Sequence, residues 1–269
     1  MPQRPEGHLR SVIVTRPEAD AVRWVEDLRR HGLAAEALPL IEIAPHTDLA
    51  PARQAWLSLQ EYSAVMFVSG NAVQGFFTCA PGGGPSPTVP ASLRFMAPGP
   101  GTASLLRSVG VPAGQIDCPG EESSQFDSQA LWQLVGKRPW QSSRVLIVRG
   151  QSGGGDGAAP GREWLARQWE AAGARVDFVT VYQRKAPRYA PAQLERMARG
   201  SKDGSVWLLS SSEALAHIPD VPGAQWSRAI AVATHPRIAA AARAAGWGVV
   251  IESRPQVADI VASIESMDP

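Results

Sequence analysis

Two rhythms of apolar and polar positions alternate along the chain. Ser11–Pro17, "SVIVTRP", is a short β-branched run, and "EADAVRWVEDLRRHG" follows with helical spacing. Ala21, Trp24, Val25 and Leu28 fall on one helix face, and Gly32 is a natural stop. "AAEALPLIEIAP" then reads as a strand. Arg144–Gly150, "RVLIVRG", opens a second run of the same kind. A glycine-rich insert, the helix "REWLARQWEAAG" ending at Gly173, and the strand "ARVDFVTVYQRKAP" follow it. "AVMFVSGNAVQGFF" (Ala64–Phe77) and "VWLLSSSEALAHI" (Val206–Ile218) each pass from a buried strand into a helix. "RFMAPGPGTASLLRSVGV" and "RAIAVATHPRIAAAARAAGW" do the same.

These segments pair. Gly32 matches Gly173, Pro45 matches Pro187, Ala72 matches Ala214 and Gly110 matches Gly246, at offsets between 136 and 142 residues. The pattern predicts two copies of one βα unit of roughly 140 residues each. Strands alternating with helices predict parallel sheets covered on both faces, hence an α/β fold of two doubly wound parallel-sheet lobes. "PLIEIAP" and "VTVYQRKAP" sit where one half hands over to the other. They predict a discontinuous first lobe (residues 1–40 plus 188–269), linker strands at 41–46 and 179–187, and a second lobe at 47–178. Two sequential lobes cut near residue 135 also satisfy the repeat. Ala80–Pro90, Gly150–Gly161 and Pro119–Leu131 read as surface inserts; the first two are rich in Gly, Pro and Ser.

Composition narrows the function classes. No apolar run approaches the ~18 residues of a membrane helix, and "MPQRPEGHLR" is no secretory signal. Cys79 and Cys118 have no metal-like spacing and suggest no disulfide scaffold, which fits a reducing cytoplasm. A net charge of +1 without a basic run argues against a nucleic-acid surface. Of 26 basic residues only Lys137, Lys185 and Lys202 are lysine; a GC-rich coding sequence accounts for that better than carboxylate or phosphate recognition, which composition alone does not carry. There is no phosphate-binding loop, "GPGTAS" lacks the third glycine of a dinucleotide fingerprint, and no serine sits in a hydrolase elbow. No His, Cys, Asp or Glu cluster has metal spacing. His8, His31, His46 and His217 read as ordinary surface or cap residues.

Candidate chemistry lies at the strand ends. Thr15-Arg16, Ser69-Gly70-Asn71, Gly99-Pro100-Gly101-Thr102, Arg149-Gly150, Ser210-Ser211-Ser212 and His235-Pro236-Arg237 each precede a helix. Ligands bind at the carboxyl ends of strands in such sheets, where helix N-termini present free N–H groups and a positive dipole end. Any one such turn reads as N-capping. Six in a duplicated pattern favour a cleft for a ligand with several anions. Tyr182, in "TVYQR" of the inter-lobe segment, reads on spacing alone as a half-buried strand aromatic.

Taken in order, "VIVTRPEADAVRWVEDLRRHGLAAEALPLIEI", "SAVMFVSGNAVQGFF", "APGPGTASLLRSVGV", "VLIVRG", "WEAAGARVDFVTVYQRKAP" and "VWLLSSSEAL" resemble the uroporphyrinogen-III synthase family over nearly the whole chain. The resemblance implies two lobes joined by a two-stranded β-ladder, with an active-site cleft between them. It implies a cofactor-free cytoplasmic lyase of tetrapyrrole (porphyrin, heme) biosynthesis that acts on hydroxymethylbilane. Water is lost, the ring closes through an azafulvene cation and a spiro-pyrrolenine, and the last pyrrole ring is inverted. Tyr182 takes the place of the tyrosine that assists loss of hydroxyl. Thr15, Arg16, Ser69, Gly70, Asn71, Gly101, Thr102, Arg149, Gly150, Ser210 and Ser211 stand at substrate-binding positions, and no metal is implied. The expected partner is the small-molecule substrate, handed over by hydroxymethylbilane synthase to a monomer that binds neither nucleic acid nor membrane.

The resemblance has one departure. The second copy of the family's Gly-Pro-Thr-Thr-like turn reads His235-Pro236-Arg237-Ile238 here. His235 or Arg237 is then expected to contact a substrate carboxylate. Arg237→Ala should raise KM far more than it lowers kcat in a steady-state assay, and an unchanged KM would count against that contact. The rival readings are a non-catalytic bilobed anion- or tetrapyrrole-binding module, a regulatory or fusion partner, and a two-lobed nucleotide enzyme. The first would lose Tyr182 and the serine turns, which this chain keeps.

Overall fold

A computed structural model describes residues 10–82, 88–120, 128–152 and 160–267. His8 and parts of all three inserts lie outside the described residues. In chain order the elements are β1 (Val12–Val14), α1 (Glu18–Arg30), β2 (Ala35–Ala37), β3 (Glu42–Pro45), α2 (Ala50–Leu57), β4 (Ala64–Phe67), α3 (Gly70–Phe77), β5 (Arg94–Met96), α4 (Pro100–Ser108), β6 (Ile116–Asp117) and α5 (Ser128–Val135). There follow β7 (Arg144–Ser152), α6 (Pro160–Ala171), β8 (Arg175–Lys185), α7 (Pro191–Gly200), β9 (Val206–Leu209), α8 (Ser212–Ala216), β10 (Ile230–Ala233), α9 (Pro236–Ala244), β11 (Val249–Glu252) and α10 (Val257–Glu265). They form two compact units, Met1–Glu42 with Lys185–Pro269, and Ile43–Arg184.

The first unit holds a parallel sheet in the order β11-β10-β9-β1-β2. The second holds β3-β8-β7-β4-β5-β6, parallel from β8 to β6. Read from the other edge, the first sheet runs β2-β1-β9-β10-β11, the doubly wound order 2-1-3-4-5. Setting β7 against β1, β8 against β2, and β4, β5, β6 against β9, β10, β11 gives the second sheet the same order. The units are therefore one design with the chain entering at different points, and the pairs are those of the sequence repeat. In each sheet the strand order reverses at one place: between β1 and β9, and between β7 and β4.

The helix stops follow the glycines. Gly32, Gly110, Gly173 and Gly246 have φ of 84°, 91°, 87° and 83°, a backbone only glycine adopts without strain. One expected strand is divided. "AAEALPLIEIAP" forms β2 and β3, separated by Leu38–Ile41. Pro39 has no N–H to continue a ladder, while Leu38 and Leu40 still donate to the Val14 and Thr15 carbonyls.

The sheet of the second unit carries helices on both faces. Ala52, Ala55 and Trp56 of α2, Ala72, Val73 and Phe76 of α3, and Ala103 and Leu106 of α4 pack on Val65, Phe67, Phe95, Leu146, Val148, Val179 and Val181. Trp56 stacks on Phe76 with ring centroids 4.9 Å apart. Leu131 and Val135 of α5, and Leu165, Ala166 and Trp169 of α6, cover Ala64, Met66, Val145 and Ile147 on the reverse. Each large side chain so buried contributes about 1.5–3 kcal/mol. In the first unit α1 and α10 cover Val12, Val14, Val206, Leu208 and Val232. On its other face Gly200 of α7 lies against Ile13 and Trp207, where a side-chain carbon would fall 2.6 Å from the Ile13 Cδ1.

Candidate functional site

The strongest juxtaposition of sequence-derived candidates lies in the second unit, where β4 and β7 meet. β4 is followed by Val68-Ser69. Ser69 is extended (φ −168°, ψ 169°) and caps α3, its Oγ accepting from the Ala72 N–H at 3.3 Å. The same Oγ lies 3.1 Å from the Tyr182 hydroxyl, 113 residues further along the chain. Tyr182 is 3% exposed.

A bulge aims that tyrosine. β7 and β8 pair in register from Arg144↔Arg175 to Arg149↔Thr180, and the next pair is Gly150↔Tyr182. Val181 is the extra residue, so strand alternation breaks there. Val179 and Val181 face the core of α2, α3 and α4, and Tyr182 turns to the same cluster instead of away from it. The ring rests on the backbone of Gly150, where a Cβ would fall 2.2 Å from Cζ. At Gly75 a Cβ would stand 2.9 Å from Val181 Cγ2 and 3.1 Å from its carbonyl oxygen. Glycine therefore lets α3 lie directly on the bulge. Gly150→Ala should displace the phenol from Ser69. Overpacking of this kind costs about 1–3 kcal/mol, and a phenol that takes part in a reaction loses rate steeply when it is displaced. We expect a lowered melting temperature together with a fall in kcat of roughly tenfold or more. Wild-type values in both would show that the ring is not held by this contact.

The remaining candidates of this unit sit around the same strand ends. Gly70 and Asn71 form the first turn of α3 and are half-buried. A Cβ at Gly70 would meet Leu105 of α4 at 2.3 Å, so the residue seats α3 on α4. Gly101 and Thr102 lie in the first turn of α4; Thr102 is 9% exposed, and the space beside Gly101 is open to 4 Å. Arg149 is placed elsewhere. It shares its sheet face with Val145 and Ile147, and its guanidinium lies 4.8 Å from the Phe178 ring centroid. The register thus sets Arg149 on the face opposite Tyr182.

The first unit repeats the arrangement with different chemistry. Thr15 is 1% exposed, and its hydroxyl donates to the Leu208 carbonyl at 2.7 Å, fastening β1 to β9. The Arg16 guanidinium stacks on Trp24 at 4.4 Å from the ring centroid. Burial holds its pKa below the ordinary arginine range, and among the described residues its buried Nε has no hydrogen-bond partner. Ser210 and Ser211 are half-buried. Ser211 precedes α8 without a side-chain capping bond. His235 and Arg237 are exposed, and His235 Nδ1 accepts from the Arg237 N–H at 3.0 Å. That cap commits one ring nitrogen and places the proton of the neutral imidazole on Nε2. Tyr189 carries a buried hydroxyl without a partner among the described residues, and burial pushes its pKa up to about 12.

Sequence reading missed the Ser69–Tyr182 contact, the bulge and the bed at Gly150. One signal pointed there: Gly75, a glycine inside a helical pattern, marks close approach of a neighbouring backbone. Among the described residues no cluster of three or more His, Cys, Asp or Glu could hold a metal ion, and no helix is long and apolar enough to cross a membrane.

Comparison with known proteins gives a consistent result. The family model described as uroporphyrinogen-III synthase HemD matches residues 22–262. Uroporphyrinogen-III synthase of Salmonella typhimurium is 29% identical over 243 residues, which is 88% of this chain and 92% of that protein. Its Escherichia coli K12 counterpart is 29% identical over 245 residues, with the same coverage. The crystal structure of uroporphyrinogen-III synthetase from Helicobacter pylori 26695 superposes with a TM-score of 0.58 at 14% identity, covering 96% of this chain and 99% of that one. This last likeness supports the α/β fold.

Proposed function

Since the chain belongs to the uroporphyrinogen-III synthase family, we propose that it closes hydroxymethylbilane to uroporphyrinogen III, with loss of water and inversion of the last pyrrole ring. The observation that carries the chemistry is the Tyr182 hydroxyl, 3.1 Å from Ser69 Oγ at the N-terminus of α3. The substrate ionises readily and closes unaided to the uninverted isomer. Catalysis therefore requires orientation and help for one leaving hydroxyl, not a strong acid and base.

Tyr182 donates its proton to the hydroxymethyl oxygen as the C–O bond breaks, and the azafulvene cation and water result. The first turns of α3 and α4, with Gly70, Asn71, Gly101 and Thr102, hold acetate or propionate carboxylates on N–H and O–H donors, while Ser69 serves Tyr182. Gly150 supports the tyrosine ring and Thr15 braces β1 on β9, so both act through the groups they position. Arg16, Ser210, Ser211, His235 and Arg237 are carboxylate contacts in this reading, and Arg149 is the weakest member of the set because of its face. We further infer a cytoplasmic monomer that receives its substrate from hydroxymethylbilane synthase. Two thiols without a disulfide, Cys79 and Cys118, support the reducing compartment. Exposed large apolar side chains scattered over α1, α2, α5, β8 and β11 support the monomer.

The test is a coupled assay. Porphobilinogen and a hydroxymethylbilane-forming enzyme are supplied, this protein is added, and the oxidised uroporphyrin isomers are separated. Predominantly isomer III is the expected outcome. Isomer I alone, from folded protein, would leave only a binding module.

A further inference from the structure

We propose that Ser69 is a positioning residue that fixes the direction of the Tyr182 proton; this rests on the reading of Tyr182 given above. A serine hydroxyl has one proton and two lone pairs. One lone pair of Ser69 Oγ accepts the Ala72 N–H at 3.3 Å, and the Tyr182 oxygen lies 3.1 Å away. Two arrangements satisfy these distances. If Tyr182 donates to Ser69, its proton is spent inside the protein and none is available to a leaving hydroxyl. If Ser69 donates to Tyr182, the phenol proton is directed outwards to the substrate.

The second arrangement is the productive one. As the C–O bond of the hydroxymethyl group breaks, its electron pair stays on oxygen. That oxygen takes the phenol proton and leaves as water. The phenolate left behind keeps the Ser69 O–H donor and faces the positive end of α3. The proton shed when the closed ring regains aromaticity returns to the phenolate, so the cycle balances. The geometry is held from three sides, by Gly75 on Val181, Gly70 on Leu105 and Gly150 beneath the tyrosine ring.

Ser69 also caps α3, so the test must separate the cap from the donated proton. Ser69→Asp keeps a good capping acceptor but has no proton to give at neutral pH. Ser69→Thr keeps both. Each is measured in the coupled assay for kcat, KM and the isomer III to isomer I ratio, beside Ser69→Ala, Tyr182→Phe and the Ser69→Ala/Tyr182→Phe double variant, with thermal melts.

We expect Ser69→Ala and Ser69→Asp to lower kcat by roughly 10- to 100-fold, with KM little changed in Ser69→Ala and raised in Ser69→Asp by the added charge beside the carboxylate-binding turn, and Ser69→Thr to restore most of the rate. Ser69→Ala should add nothing in the Tyr182→Phe background, since both remove one coupled device. Wild-type kcat in Ser69→Asp would assign the serine to capping alone and overturn the proposal. Multiplying effects in the double variant would do so as well. If Tyr182→Phe is impaired and Ser69→Ala is not, only this inference falls; if Tyr182→Phe turns over normally, the reading of Tyr182 falls with it.

Discussion

Tyr182→Phe is expected to bind substrate as the wild type does and to lose most of its turnover. The phenylalanine ring keeps the bed on Gly150 and a place in the buried cluster that includes Val148, Val179 and Val181. Only the hydroxyl and its bond to Ser69 are removed, a change worth about 1 kcal/mol of stability. Proton donation by a positioned side chain contributes about 10²- to 10⁴-fold, so kcat should fall by at least about 10²-fold while KM moves little. Steady-state rates with isomer separation measure both. Residual product that is still isomer III would show that orientation survives without the acid. Turnover at the wild-type rate would remove Tyr182 from the chemistry.

Asp117→Asn should be the most destabilising of these substitutions. Asp117 ends β6 and is 5% exposed. Its carboxylate accepts from Arg94 Nη2 at 2.5 Å and Nε at 3.1 Å, and from Arg138 at 2.6 and 2.7 Å. It thereby ties β5, β6 and the turn after α5 together. Burial by itself would raise the pKa, but the hydrogen bonds and charges of Arg138 and Arg94 more than reverse it, so the group lies below the ordinary carboxylate range. Removing one partner of a buried ion pair costs about 3–5 kcal/mol. The two arginines are 34% and 33% exposed, which places the loss near the lower end, about 3 kcal/mol or roughly 10 °C of melting temperature. A folded pKa below the unfolded one gives stability that is fully present above about pH 3.9. It is lost as pH falls through the lowered folded value. The gap between wild type and variant should hold from neutrality to about pH 4 and close below it. A variant that melts with the wild type at pH 7 would show that the cluster is solvated and contributes nothing.

Features that depend on local chemistry were legible in the sequence. Strand–helix alternation, the duplication and the glycine stops at Gly32, Gly110, Gly173 and Gly246 each rest on a few adjacent residues. The strand ends were legible too, because small and hydroxyl residues before a helix report a turn whatever surrounds it. What was hidden depends on register between distant segments. Nothing near Thr15 in the sequence announces that its hydroxyl is spent on Leu208. The side on which Arg149 emerges follows from counting along β7, but its separation from Tyr182 follows from a bulge at Val181 that period-two patterning passes over. His235 pairs with the amide two residues ahead, the capping use that any one such turn suggests by itself. Asp117 looked like an unremarkable residue in "QIDCPG" because both its arginines arrive from other elements.

The point at which the chain enters each sheet matters during synthesis. The second unit is one continuous segment, Ile43–Arg184, and its strands can pair as soon as they leave the ribosome. The first unit begins with β1 and β2, yet β1 lies between β2 and β9, and the Thr15–Leu208 bond spans 193 residues. At translation rates of about 5–20 residues per second, Val12–Val14 waits roughly 10–40 s for its second neighbour. An edge of buried valine and isoleucine is thus left open on every nascent chain until β9, about three-quarters of the way along, has been made.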